Sequence, residues 1–310
     1  MAKMMRNALI LFKKETTYGT DAVPSGDANA LLCKGISPQP LSADFVDRDL
    51  IRPYFGASEQ LLASVHSEIE FEVELAGSGV AGVAPKWGPL LQACHFVETV
   101  TEDTNVIYKP TTTEGSSVTI HYYLDGLLHK MTGCRGTVAL SLSPKGISTM
   151  KFKFLGFYNE PVDANNPSSA DYSGFQVPKV VNTLNTPIWS LHGYTGNLSE
   201  LSIDVANTVT YRELIGTSSV VITDRKPTGT AKFELLSVTT KNWSKTITDG
   251  TTGALSLTHG TTEGNIVKID APKAQLFSPS YEDDDGVAMM SLSLSLVPDE
   301  GNDELVITVM

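Results

Sequence analysis

Cysteine is scarce. Cys33, Cys94 and Cys134 are the only three, odd in number and widely spaced, which fits neither a disulfide framework nor a C-x-x-C metal pair. Reduced, mostly buried thiols are expected. Positive charge is also in short supply, with 23 Lys and Arg against 35 Asp and Glu and a net charge of −12. Gripping nucleic acid needs clustered Lys and Arg, so the balance argues against that class, although not against a protein that lets nucleic acid pass. No stretch approaches a membrane span. The apolar segment from Asn7 to Phe12 is closed by Lys13-Lys14-Glu15 before it reaches signal-peptide length. These absences predict a soluble protein folded in a reducing cytoplasm.

Catalytic and ligand motifs are missing too. His66, His95, His121, His129, His192 and His259 form neither H-x-x-x-H nor H-E-x-x-H, and no G-x-S-x-G elbow occurs. The glycine-rich run from Ala76 to Gly82 is neither a phosphate cradle nor a G-x-G-x-x-G, so it reads as a flexible loop. Glu282-Asp283-Asp284-Asp285-Gly286 is the densest carboxylate cluster. Its consecutive acids lack the alternate spacing of a calcium loop, and Asp285-Gly286 suits a hairpin tip. The expectation is a non-enzyme with no catalytic, metal or cofactor-binding residues.

What remains is β-structure. Thr, Ser, Val and Gly recur, charged residues are 19%, and no long stretch keeps a helical period, which favours an all-β fold. One stretch organises the rest: in Ser67 to Leu75, Ile69, Phe71, Val73 and Leu75 alternate with Glu68, Glu70, Glu72 and Glu74. On a strand this gives one dry face and one anionic face. Neighbouring glutamates would sit ~7 Å apart and repel by roughly 0.6 kcal/mol per pair in water. The plainer reading is a solvated strand whose glutamates pair with lysines next door. Lys151 and Lys153, outward between Met150, Phe152 and Phe154, are candidates for that pairing.

Around this strand, Trp87, Leu90, Leu91 and Cys94 recur at i, i+3, i+4 and i+7 behind Pro85, predicting a short amphipathic helix. Leu124-Asp125-Gly126 predicts a hairpin turn between strands at 118–123 and 127–131. Further strands are expected at 137–143 and 149–155, and Asn159 to Pro187, rich in Pro, Asn and Ser, reads as a linker. Past the linker the order of elements repeats. Arg212-Glu213-Leu214-Ile215 echoes Arg48-Asp49-Leu50-Ile51, Phe233-Glu234 echoes Phe71-Glu72, and Trp243 echoes Trp87. The anionic strand is only half kept, as Ala231-Lys232-Phe233-Glu234-Leu235. Expected boundaries are an N-terminal arm over 1–28, a first domain over 29–158, a linker over 159–190 and a second domain over 191–310.

Four stretches together resemble the major tail tube proteins of long-tailed bacteriophages: Lys14-Glu15-Thr16-Thr17-Tyr18-Gly19-Thr20, Phe71 to Gly79, Trp87 to Cys94 and Ile222 to Gly229. The resemblance covers nearly the whole chain. It implies tandem β-sandwich or half-barrel domains, each with one short flanking helix. Their inner strands would join those of neighbouring subunits into a tube wall. A duplicated chain would form trimeric rings of pseudo-sixfold symmetry that stack into a conduit for viral DNA. The implied partners are further copies of the chain, the tape measure protein and other tail components, with DNA passing transiently. The implied location is the virion tail, assembled in the host cytoplasm. On this reading Glu68, Glu70, Glu72, Glu74, Lys151, Lys153 and Glu234 face the channel. Thr17, Tyr18, Arg48, Asp49, Arg52, Tyr54, Arg212 and Glu213 would make contacts between rings or subunits. The alternatives are a receptor- or carbohydrate-binding β-sandwich of a tail fibre or baseplate, which predicts an aromatic-lined sugar site, and a hydrolase, which needs a convergent Ser, His and acid.

Overall fold

The computed structural model describes residues 2–113 and 115–310. In chain order its elements are β1 (Ala8–Lys14), α1 (Gly26–Asn29), β2 (Ala30–Leu31), β3 (Lys34–Asp47), β4 (Gln60–Glu74), α2 (Gly88–Ala93), β5 (Phe96–Thr101), β6 (Asn105–Pro110), β7 (Val118–Leu124), β8 (Leu127–Leu142), β9 (Thr149–Tyr158) and β10 (Val162–Asp163). They continue as β11 (Ile188–Leu191), β12 (Leu198–Asp204), β13 (Asn207–Leu214), β14 (Thr217–Arg225), β15 (Thr228–Glu234), α3 (Trp243–Thr248), β16 (Thr252–His259), β17 (Val267–Asp284), β18 (Val287–Val297) and β19 (Val306–Val309). The fold is all-β with short helices, as the composition requires.

All strand pairings among the described residues are antiparallel, and the main ones form two ladders. The first runs β1-β7-β8-β9-β4-β3 and the second β11-β16-β17-β18-β15-β12, the same order of corresponding strands. Each has a long strand, β8 or β17, whose first half pairs on one layer and second half on the other. A bulge between Thr132 and Arg135 carries β8 round that corner. The long hairpin β3–β4 has its counterpart in β12–β15, prolonged by the separate two-stranded β13–β14.

Two seams join the ladders. The end of β8 pairs with β12, Leu142 opposite Leu201 and Leu140 opposite Ile203, so the first sheet continues into the second. At the C-terminus β19 lies between β17 and β6.

The core follows from alternation. Ile69, Phe71 and Val73 on β4 face Phe154, Phe152 and Met150 on β9, all at most 1% exposed. Trp87, Leu90, Leu91 and Cys94 bury the expected face of α2, which spans fewer residues than the pattern at 85–94. Asn242 caps α3, its side-chain oxygen accepting from the Lys245 amide at 2.9 Å. Asp125 and Gly126, at φ 46° and 85°, make the predicted tight turn. The β5–β6 hairpin and β19 have no counterpart in the sequence reading. Within 1–28, β1 pairs with β7 along its whole length and buries Leu9, Ile10, Leu11 and Phe12. Between β9 and β11, regular structure is confined to the two residues of β10.

Candidate assembly surface

Eight strands in the order β3-β4-β9-β8-β12-β15-β18-β17 form one continuous sheet with a buried face and a polar face. The polar face is built by strand periodicity: each apolar residue sent into the core obliges its neighbours to point away. It carries Glu68, Glu70, Glu72 and Glu74 from β4, Lys151 and Lys153 from β9, Glu200 and Asp204 from β12, Lys232 and Glu234 from β15, and Ser291, Ser293 and Ser295 from β18. Carboxylates outnumber ammonium groups there.

The lysines thread between the glutamates. Lys153 Nζ lies 3.1 Å from Glu68 and 3.7 Å from Glu70, and Lys151 Nζ lies 2.9 Å from Glu70. Lys34 on β3 reaches Glu72 at 3.9 Å. The hydrogen bond from Lys151 holds the Glu70 carboxyl below its usual range, and that to Glu68 raises the Lys153 ammonium. These groups remain partly solvated, so the network tempers repulsion along the ladder more than it stabilises the fold. In the second half, Asn197 donates to Glu234 at 2.7 Å, and Lys232 pairs with Glu282 at 2.8 Å.

The two outer edges of this sheet are open among the described residues. β3 pairs only with β4, and beyond Gln275 the side of β17 away from β18 has no partner. Exposed residues cluster at the ends of the long hairpins. Ile51 and Phe55 on one loop, and Ile215 on the other, are wholly exposed, beside Asp49, Arg52 and Tyr54 and beside Arg212 and Glu213. Arg48 pairs with Glu59 at 2.5 Å across its own loop, and Tyr211 donates to Glu213 at 2.8 Å.

Thr17 is exposed, whereas Tyr18 is half-buried within the chain. Its hydroxyl accepts from the Val220 amide at 2.6 Å, and the Arg135 guanidinium sits 4.6 Å above its ring. Beside it Glu15 accepts from Ser117, Thr119 and the amides of Gly19 and Gly133. Sequence reasoning did not single out Arg225, which pairs with Glu304 at 2.5 Å and donates to Thr111 O and Asn302 Oδ1, tying three distant segments together. The available signal was its place in the Ile222 to Gly229 stretch, an arginine inside an otherwise turn-like Thr-Asp-Arg-Lys-Pro.

The family model described as phage tail tube protein matches residues 5–302, nearly the entire chain and both ladders. The chain belongs to this family. None of the curated proteins matches it. Membership makes the protein a structural component of the bacteriophage tail, of a kind that assembles into a tube with other tail components. Among the described residues no helix is long and apolar enough to cross a membrane, and no group of three or more His, Cys, Asp or Glu could hold a metal ion. The cysteines are free, and burial raises the Cys33 thiol to about 12.

Proposed function

We propose that three copies of this chain close into a ring, that the carboxylate-bearing sheet face lines its channel, and that stacked rings conduct DNA. The observation that carries this reading is the β8–β12 seam, where the first ladder is joined edge to edge to the second while the polar faces stay on one side. The shared strand order supports a duplicated unit, with each ladder the core of one domain. If so, the same joint made between copies sets the free end of β17 against β3 of the next copy. Long open edges are a hazard to a monomer, and a head-to-tail contact that closes removes them.

A channel lined by Glu68, Glu70, Glu72, Glu74 and Glu234 offers DNA little counterion release and repels its phosphates, which leaves a duplex free to slide. Arg48, Asp49, Arg52, Tyr54, Arg212 and Glu213 are placed for contacts between rings or subunits, as is Thr17. The tape measure protein would occupy the channel before DNA does. The experiment is native mass spectrometry with negative-stain microscopy of the purified protein. Three-copy rings or hollow rods are expected, and a two-fold dimer as the sole assembled species would overturn the reading.

A further inference from the structure

On β3 the counterpart of the internal seam holds two prolines. In the seam itself the Val205 amide donates to Val138 O at 3.0 Å. Amides two residues apart on an antiparallel strand point to the same edge, so Ile203 and Leu201 also turn theirs to β8, opposite Leu140 and Leu142. Strand pairing identifies the matching positions on β3. Leu201 lies opposite Ala231 and Asp204 opposite Thr228, as Pro38 lies opposite Ile69 and Ser42 opposite His66. Ala231 and Ile69 each stand two residues before the matching phenylalanines, Phe233 and Phe71. Pro38 therefore sits where Leu201 donates, and Pro40 falls in the β3 irregularity that takes the place of Ile203. Neither proline has an N–H to give, and each ring occupies space that a partner strand needs.

The other half of the joint is matched in the same way. Val138 is opposite Phe152, which is opposite Phe71, while Tyr281 is opposite Met290, which is opposite Phe233. Tyr281 thus corresponds to Val138. An unshifted copy of the seam would set Tyr281 opposite Ala43 and run Asp283 to Asp285 along the two prolines.

We propose that β17 of one copy pairs with β3 of a second copy two residues further along the hairpin, with Tyr281 opposite Phe45, Glu282 opposite Asp44 and Asp283 opposite Ala43. This rests on the reading that these two strands meet, and fixes where along β3 they do so. β17 ends at Asp284, so the slide carries both prolines past its end. A slide of two residues keeps every side chain on its own face. It also brings together two exposed rings, Phe45 at 56% and Tyr281 at 69%. Phe45 is opposite Leu62, itself 59% exposed, and Tyr281 is opposite Met290, so one row of four apolar side chains crosses the joint. Glu282 then faces Asp44, and Lys232, 2.8 Å from Glu282, offsets that like pair. The prolines blunt the near half of the β3 edge and leave the far half open to a strand.

The test is disulfide trapping between full-length chains that carry Cys33→Ser. Chains with Glu282→Cys are mixed with chains carrying either Asp44→Cys or Ser42→Cys, oxidised, and examined by peptide mass spectrometry and negative-stain microscopy. An interchain link between positions 44 and 282 is expected. A link through position 42 alone is the unshifted joint and overturns the slide. Rings or rods without the 44–282 link also overturn it and leave the ring reading standing. Linked chains that never form a ring or rod keep the slide and sink the ring, and the absence of both link and assembly removes both. In a second arm, Phe45→Ala is expected to raise the protein concentration at which rings form by about fivefold or more, at an unchanged melting temperature. An unchanged concentration contradicts the apolar row.

Discussion

The Tyr18 hydroxyl lies 2.6 Å from the backbone nitrogen of Val220, so a side chain near the N-terminus holds the outer edge of β14 in the far half of the chain. The same hydroxyl is 3.3 Å from Val220 O, which also accepts from Arg135 at 2.8 Å. Burial raises the Tyr18 phenol, which keeps it protonated and able to donate.

Tyr18→Phe removes this contact while retaining the ring packed edge-on against Phe157. A half-buried amide then loses its acceptor, so a loss of about 1–2 kcal/mol is expected in denaturant unfolding. Hydrogen exchange should quicken at Val220 more than at β15.

Glu304→Gln strips the charge partner from Arg225, whose side chain is 9% exposed against 7% for Glu304. An uncompensated buried guanidinium costs about 3–5 kcal/mol. Because Glu304 adjoins β19, amide exchange in β19 and β6 is the readout, and faster exchange there than in β4 is expected.

The carboxylate ladder has a pH signature. Lys151 holds the Glu70 carboxyl below its unfolded value, so the stabilisation is complete above about pH 4.3 and disappears as pH falls through the lowered folded value. Glu70→Gln should therefore differ from wild type by at most about 1 kcal/mol at pH 7, the scale of a solvated ion pair, and match it at pH 2. Thermal melts across that range check the sign.

Charge reversal addresses the channel. Glu70→Lys with Glu72→Lys is expected to leave rings and tubes intact, since both side chains point away from the core, yet to slow or block DNA passage in infectivity assays. Wild-type infectivity from such particles counts against a channel-facing ladder.

The sequence was most legible where one period dominates. Strict alternation placed β4, β9 and the end of β8, and i, i+3, i+4, i+7 spacing placed Trp87, Leu90, Leu91 and Cys94 on one face of α2. The β5–β6 hairpin escaped because its turn, Glu102-Asp103-Thr104, lacks glycine and instead puts Asp103 at φ 55°. The polar partners of Glu68 and Glu70 were readable because Lys151 and Lys153 share their alternation. The Tyr18–Val220 contact, the Arg225–Glu304 pair and the β8–β12 seam join residues far apart in the chain, and no local pattern encodes such pairings. The Gly174-Phe175-Gln176 segment, which lies beside Trp87 with Phe175 packed on the core, was hidden inside what composition marks as a linker.

The central claim is that the internal seam is repeated between copies. Electron cryomicroscopy of assembled tubes tests it most directly. The account predicts three chains per ring, residues 277–284 of β17 paired with β3 of the neighbouring chain, and Glu68, Glu70, Glu72 and Glu74 on the lumen. Rings closed through other strands, or those carboxylates on the outer surface, would contradict it.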